Sequence, residues 1–114
     1  MENDTPLNNL QNESQQTICQ QELQIKNAEG LHMRPAMQFV DLANQFQCDI
    51  TVSNQENTVD GKSIMQMSML AATYGTKLIV KAQGPDARQA VSALRKLVEE
   101  KHFDEPIPNS KKDN

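Results

Sequence analysis

The stretch from Cys19 to Gln47, CQQELQIKNAEGLHMRPAMQFVDLANQFQ, decides the fold, because its hydrophobic period changes once, near the middle. Up to Ile25 the chain alternates: Cys19, Gln21, Leu23 and Ile25 fall on one side and Gln20, Glu22 and Gln24 on the other, the pattern of a half-buried strand. Past the turn residues Asn27 to Gly30 the period lengthens. Ala36, Phe39, Val40, Ala43 and Phe46 recur at spacings of three and four, which predicts a helix from Met33 to Gln47 with one buried face. Pro35 belongs in its first turn, where a missing N–H is no loss.

Outward from this stretch the short elements continue. Cys48, Ile50 and Val52 alternate with Asp49, Thr51 and Ser53, Asn54 to Asn57 supply turn residues, and Thr58 to Asp60 form a return strand, so a hairpin is predicted. Ser63 precedes the apolar segment Ile64 to Ala72, read as a helix capped by the serine hydroxyl and closed by Tyr74 and Gly75. Thr76 to Gln83 form a last strand with Leu78, Val80 and Ala82 inward. Asp86 and Gln89 match a loosened capping box opening a helix whose inner face carries Ala87, Ala90, Val91, Leu94, Leu97 and Val98. The simplest way to bury these faces is an α+β fold, a four-stranded, mostly antiparallel sheet with three helices on one face.

At 114 residues the chain suits one domain with a modest core. Aromatics make up only 4% and Trp is absent, so that core must be aliphatic, with methionine filling gaps. Residues 1–16, rich in Asn, Gln, Ser and Thr, have little to bury and are expected to be a disordered extension. The domain proper is placed at 17–103, and residues 104–114, with Pro106 and Pro108, are expected to form a flexible tail with His102 solvated at its edge.

The formal charge of −4 is carried by these flanks, at −3 and −1, and the middle of the chain is neutral. Without a basic stripe, nucleic-acid binding is disfavoured. Cys19 and Cys48 suit neither a disulfide framework nor a zinc site, and His32 and His102 have no ligand-like spacing to a cysteine or carboxylate, so neither a metal nor a cofactor is expected. No segment approaches the roughly 20 apolar residues of a membrane span, and no basic region precedes an apolar run at the N-terminus. A cytoplasmic monomer is expected.

The segment Gly30-Leu31-His32-Met33-Arg34-Pro35-Ala36 is the best candidate for chemistry. It holds an imidazole and a guanidinium at the first turn of a helix, where unpaired amides and the positive end of the helix dipole suit a phosphate or carboxylate. An uncharged imidazole can act as a nucleophile, and phosphoryl transfer relies mainly on positioning and charge neutralisation. The residues by themselves also allow a plainer reading, in which His32 caps the helix and Arg34 is solvated.

This segment resembles the active-site signature of HPr, the histidine phosphocarrier family of the phosphoenolpyruvate-dependent sugar phosphotransferase system. The likeness continues through Val59-Asp60-Gly61-Lys62-Ser63-Ile64-Met65 and Gly84-Pro85-Asp86-Ala87, and covers roughly residues 19–103 in order. It implies an open-faced β-sandwich with sheet order 1-4-2-3. It also implies phosphorylation of the δ1 nitrogen of His32 by enzyme I, Arg34 as the phosphate-side cation, and A-type domains of enzymes II as recipients; the chain would be a carrier, not an enzyme. Ser63 would be the serine modified by HPr kinase/phosphorylase, and Met37, Ile64, Met65 and Ser68 would belong to the docking surface, whereas Met67 and Leu70 are expected inside. Met33 stands where a small residue is usual in the family. Two other readings share the fold: a chiefly regulatory relative, of nitrogen type or partnered with a transcription factor, and a ligand-binding domain without phosphorylation.

Overall fold

The computed structural model describes residues 17–108. Its frame is the strand ladder that the alternation anticipates. Strand β1 (Ile18–Gln24) pairs antiparallel with β4 (Lys77–Gln83), β4 pairs antiparallel with β2 (Asp49–Ser53), and β2 pairs with β3 (Thr58–Asp60), giving the order β1-β4-β2-β3. The register puts Leu23 opposite Leu78, and Ala82 between Cys19 and Ile50, so one face is apolar apart from exposed Gln21 on the edge strand β1. The other face carries Gln20, Glu22, Lys77, Lys81 and Thr51 and is left open.

Helices α1 (Met33–Ala43), α2 (Ile64–Ser68) and α3 (Ala87–Arg95) supply the second layer. Ala36, Phe39, Val40 and Ala43 of α1, Met67 of α2, and Ala87, Ala90, Val91 and Leu94 of α3 are buried against the sheet. A π-helical turn over Lys96–Glu100 prolongs α3 and buries Val98. The expected α+β architecture and strand order are those observed.

Element ends differ from expectation for identifiable reasons. Helix α1 stops at Ala43, short of Gln47, where the chain tightens: the amides of Gln45 and Phe46 reach back only three residues, to Leu42 O and Ala43 O at 3.0 and 3.2 Å, and side chains hold the chain on either side of this turn. Asn44 donates from Nδ2 to Val40 O at 2.9 Å, and Lys62 donates from Nζ to Phe46 O at 2.6 Å. Helix α2 ends at Ser68, not Ala72, and Ala72 leaves the helix to accept the amide of Leu31 at 2.8 Å. Asp86 begins α3 without a side-chain cap bond; its carboxylate instead accepts the amides of Gln47 and Cys48, at 2.8 and 2.9 Å. Those two amides stand at the entry to β2 and compete successfully for the carboxylate.

The largest departure lies at residues 104–108. They are tied down: Pro106 O accepts the amide of Ala28 at 2.9 Å, and Glu105 is engaged by three side chains. Just before them, His102, Phe103 and Asp104 have φ of +51°, +54° and +59°. A left-handed non-glycine residue costs roughly 1–2 kcal/mol. Full burial of the Phe103 side chain, which stabilises by about 1.5–3 kcal/mol, offsets part of that. His102 is half-buried, not fully solvated. Residues 1–16 and 109–114, expected to be disordered or flexible, lie outside the described residues.

Candidate functional site

The site begins at the turn after β1. Asn27 is buried and donates from Nδ2 to the carbonyl of Gly30 at 2.7 Å, closing the turn. Gly30 has φ +76°, and a Cβ there would stand 2.6 Å from Ala72 O, so both conformation and space require glycine. With Leu31 pinned to Ala72, the chain enters α1 along a fixed line. His32 takes the extended conformation of an N-cap residue, and the amides of Met33 and Arg34 open the helix without intrahelical acceptors.

The His32 side chain makes no cap bond. Its Nε2 instead lies 3.0 Å from each carboxylate oxygen of Glu105. Arg34 donates from Nη1 to Glu105 Oε2 at 2.8 Å and to Phe103 O at 3.2 Å, and Asn27 Nδ2 reaches Glu105 Oε1 at 2.9 Å. The plainer reading of His32 as a helix cap and Arg34 as free surface therefore does not describe the geometry. The imidazole remains open to solvent, with its side chain 41% exposed, while that of Glu105 is 12% exposed. Burial alone would raise the Glu105 pKa; hydrogen bonds from His32, Asn27 and Arg34 outweigh it and hold the carboxyl below its ordinary value.

Glu105 is the residue that sequence reasoning missed. It lies 73 positions from His32, between an acidic residue and a proline, in a stretch without periodicity. The available signal was Phe103, a large apolar residue too valuable to the core to lie in a loose tail.

Ser63 caps α2 as expected, its Oγ accepting the amide of Gln66 at 3.2 Å. Met37, Ile64, Met65 and Ser68 are all exposed, Met65 by 73%, on the neighbouring helices α1 and α2, and Met33 at the start of α1 and Met69 at the end of α2 are exposed as well. Met67 and Leu70 are inside. Cys19 and Cys48 are free thiols, and burial, followed by the Asp86 contact, pushes the Cys48 thiol up to about 11. Among the described residues no cluster of His, Cys, Asp or Glu could hold a metal ion, and no helix is long and apolar enough to cross a membrane.

Fold and site together define a small open-faced sandwich that presents one accessible imidazole, backed by a guanidinium, at a helix start. Residues 19–100 match the family model described as the PTS HPr component phosphorylation site. The phosphocarrier protein HPr of Pseudomonas aeruginosa is 44% identical over 85 residues, covering 74% of this chain and 93% of that protein. The phosphocarrier protein HPr of Vibrio cholerae is 36% identical over 85 residues, 75% of this chain and all of that protein. The crystal structure of HPr-C-His from Thermoanaerobacter tengcongensis superposes with a TM-score of 0.74 at 36% identity, covering 78% of this chain and 99% of that one.

The chain belongs to the HPr family of phosphotransferase-system phosphocarriers. Proteins of this kind carry a phosphoryl group between other proteins and are not themselves enzymes.

Proposed function

We propose that His32 accepts the phosphoryl group of phospho-enzyme I and donates it to A-type domains of sugar-specific enzymes II, in the cytoplasm and as a monomer. The observation that carries this reading is an exposed imidazole at the start of α1 with the Arg34 guanidinium beside it, joined through one carboxylate. Nδ1 attacks phosphorus as the bond from phosphorus to the donor breaks. The phosphoryl oxygens then face the amides of the first turn and Arg34, which exchanges its bond to Glu105 for one to the phosphate.

Docking falls to Met37, Ile64, Met65 and Ser68. Unbranched methionines around the imidazole can adapt to partners of different shape, which suits a carrier that must release each one. Ser63 is the regulatory site, modified by HPr kinase/phosphorylase. A phosphate there brings about −2 of charge to the edge of this apolar surface and weakens the docking of enzyme I.

Incubation with enzyme I and phosphoenolpyruvate should give an acid-labile phosphate that His32→Ala abolishes. Labelling that survives the substitution would overturn the assignment. Phosphorylated protein should then pass the group to an enzyme II A-type domain; a labelled His32 that cannot do so would point instead to a regulatory carrier of nitrogen type or one working through a transcription factor.

A further inference from the structure

Glu105 lies past residue 100, where the match to the family model ends, yet it meets three side chains of the site. It is fixed from both sides. Its own amide donates to His102 O at 2.8 Å, and the next residue, Pro106, accepts the amide of Ala28 at 2.9 Å. The left-handed turn over His102–Asp104, anchored by buried Phe103, turns the chain back toward the start of α1.

We infer that Glu105 is a positioning residue that keeps a proton on Nε2 of His32 throughout phosphoryl transfer, leaving Nδ1 to accept the group and neutral imidazole to release it. The inference rests on the reading of His32 as the acceptor. An ionised carboxylate has no hydrogen to donate, so the hydrogen in the 3.0 Å contacts belongs to Nε2. In the neutral ring the free lone pair is then on Nδ1.

The proton and electron balance follows from this placement. On acceptance the Nδ1 lone pair forms the bond to phosphorus, and the electron pair of the donor's bond to phosphorus departs with the donor. The Nε2 proton stays, and the positive ring faces the Glu105 carboxylate. On donation the P–Nδ1 electron pair returns to the ring, which departs as neutral imidazole. Loss of the Nε2 proton would force the same cleavage to expel an imidazolate anion, a far poorer leaving group.

Several charges face the ring. Glu105 and the phosphoryl group favour the retained proton, as does Glu29, which lines the shallow cleft around His32 with Ala28, Glu105 and Pro106. Arg34 and the N-terminus of α1 oppose it. Among these, Glu105 is the protein group in direct contact with Nε2.

The test uses the full chain phosphorylated chemically with phosphoramidate, so that no partner protein intervenes, with the loss of the phosphoryl group to water followed by phosphorus NMR across pH. Wild type and Glu105→Gln should hydrolyse alike near pH 5, and near pH 8 the Glu105→Gln phosphoryl group should persist several-fold longer. Glu105→Asp, which keeps the charge on a shorter arm, should fall between them. Glutamine can still accept a hydrogen bond in the same place, so a purely structural role for Glu105 predicts superimposable profiles for wild type and Glu105→Gln, and that result would overturn the inference. A wild-type chain that takes up no phosphoryl group on His32 would overturn the acceptor reading and this inference with it.

Discussion

His32 and Ser63 both stand at the start of a helix, and only Ser63 uses its side chain as a cap. The difference sets what substitution should do at each. Ser63→Ala should lower unfolding stability in urea by about 1 kcal/mol, the usual cost of a lost cap. Ser63→Asp should restore that stability, since aspartate also caps, while slowing phosphorylation by enzyme I through its added charge. Arg34 makes two hydrogen bonds from Nη1, one of them to a carboxylate. Loss of a charge-assisted bond to the phosphoryl group, worth about 1.5–3 kcal/mol, should slow transfer from enzyme I about 10- to 150-fold in Arg34→Ala. Arg34→Lys should recover part of this, because an ammonium keeps the charge without the planar fork.

At the scale of elements, the turn before α1 is the most constrained connection. Gly30→Ala places a methyl group 2.6 Å from Ala72 O at a φ of +76°, so destabilisation of at least about 2 kcal/mol is expected in denaturant unfolding, with a parallel loss of phosphoryl acceptance. The strands and their inner faces were legible in the sequence because each is half-buried and alternates. The starts of α1 and α2 were legible too, through Pro35 and Ser63. Their ends were not, because the chain just beyond each is held by a distant partner: Lys62 takes the Phe46 carbonyl after α1, and Ala72 leaves α2 to hold Leu31. Asp86 was misread for the same reason. A local pattern suggested a cap, and two amides 38 and 39 positions away use the carboxylate. The histidine and arginine of the site were visible as a cluster in sequence, whereas Glu105 reaches it only through tertiary structure.

For the molecule as a whole, three groups bound the pH range of stability. The Glu105 carboxyl is held below its ordinary value, burial notwithstanding, by His32, Asn27 and Arg34. Asp86 is lowered chiefly by the amide of Gln47. A carboxyl with a depressed folded value binds fewer protons than in the unfolded chain, so its contribution is present above about pH 4.5 and lost as pH falls through the lowered value. Acidification from pH 6 to pH 3 should therefore lower the Tm, and hydrogen exchange should show residues 104–108 loosening first. Cys48 works at the other end. Its raised value of about 11 gives stability that is complete below the ordinary thiol range and lost as pH rises through that value, so Cys48→Ser should flatten the alkaline limb of the Tm profile.

The strand order carries a kinetic consequence. Strands β2 and β3 meet across a four-residue turn, whereas β1 reaches β4 only after the chain between Gln24 and Lys77 has been laid down. Closing the longer loop costs more chain entropy, so the hairpin should belong to the folding nucleus and β1 should dock on the downhill side of the barrier. In chevron experiments Val52→Ala should mainly slow folding, and Leu23→Ala should mainly hasten unfolding. The histidine turn follows directly on β1, so the active arrangement is assembled in the last step and exists only in the finished domain.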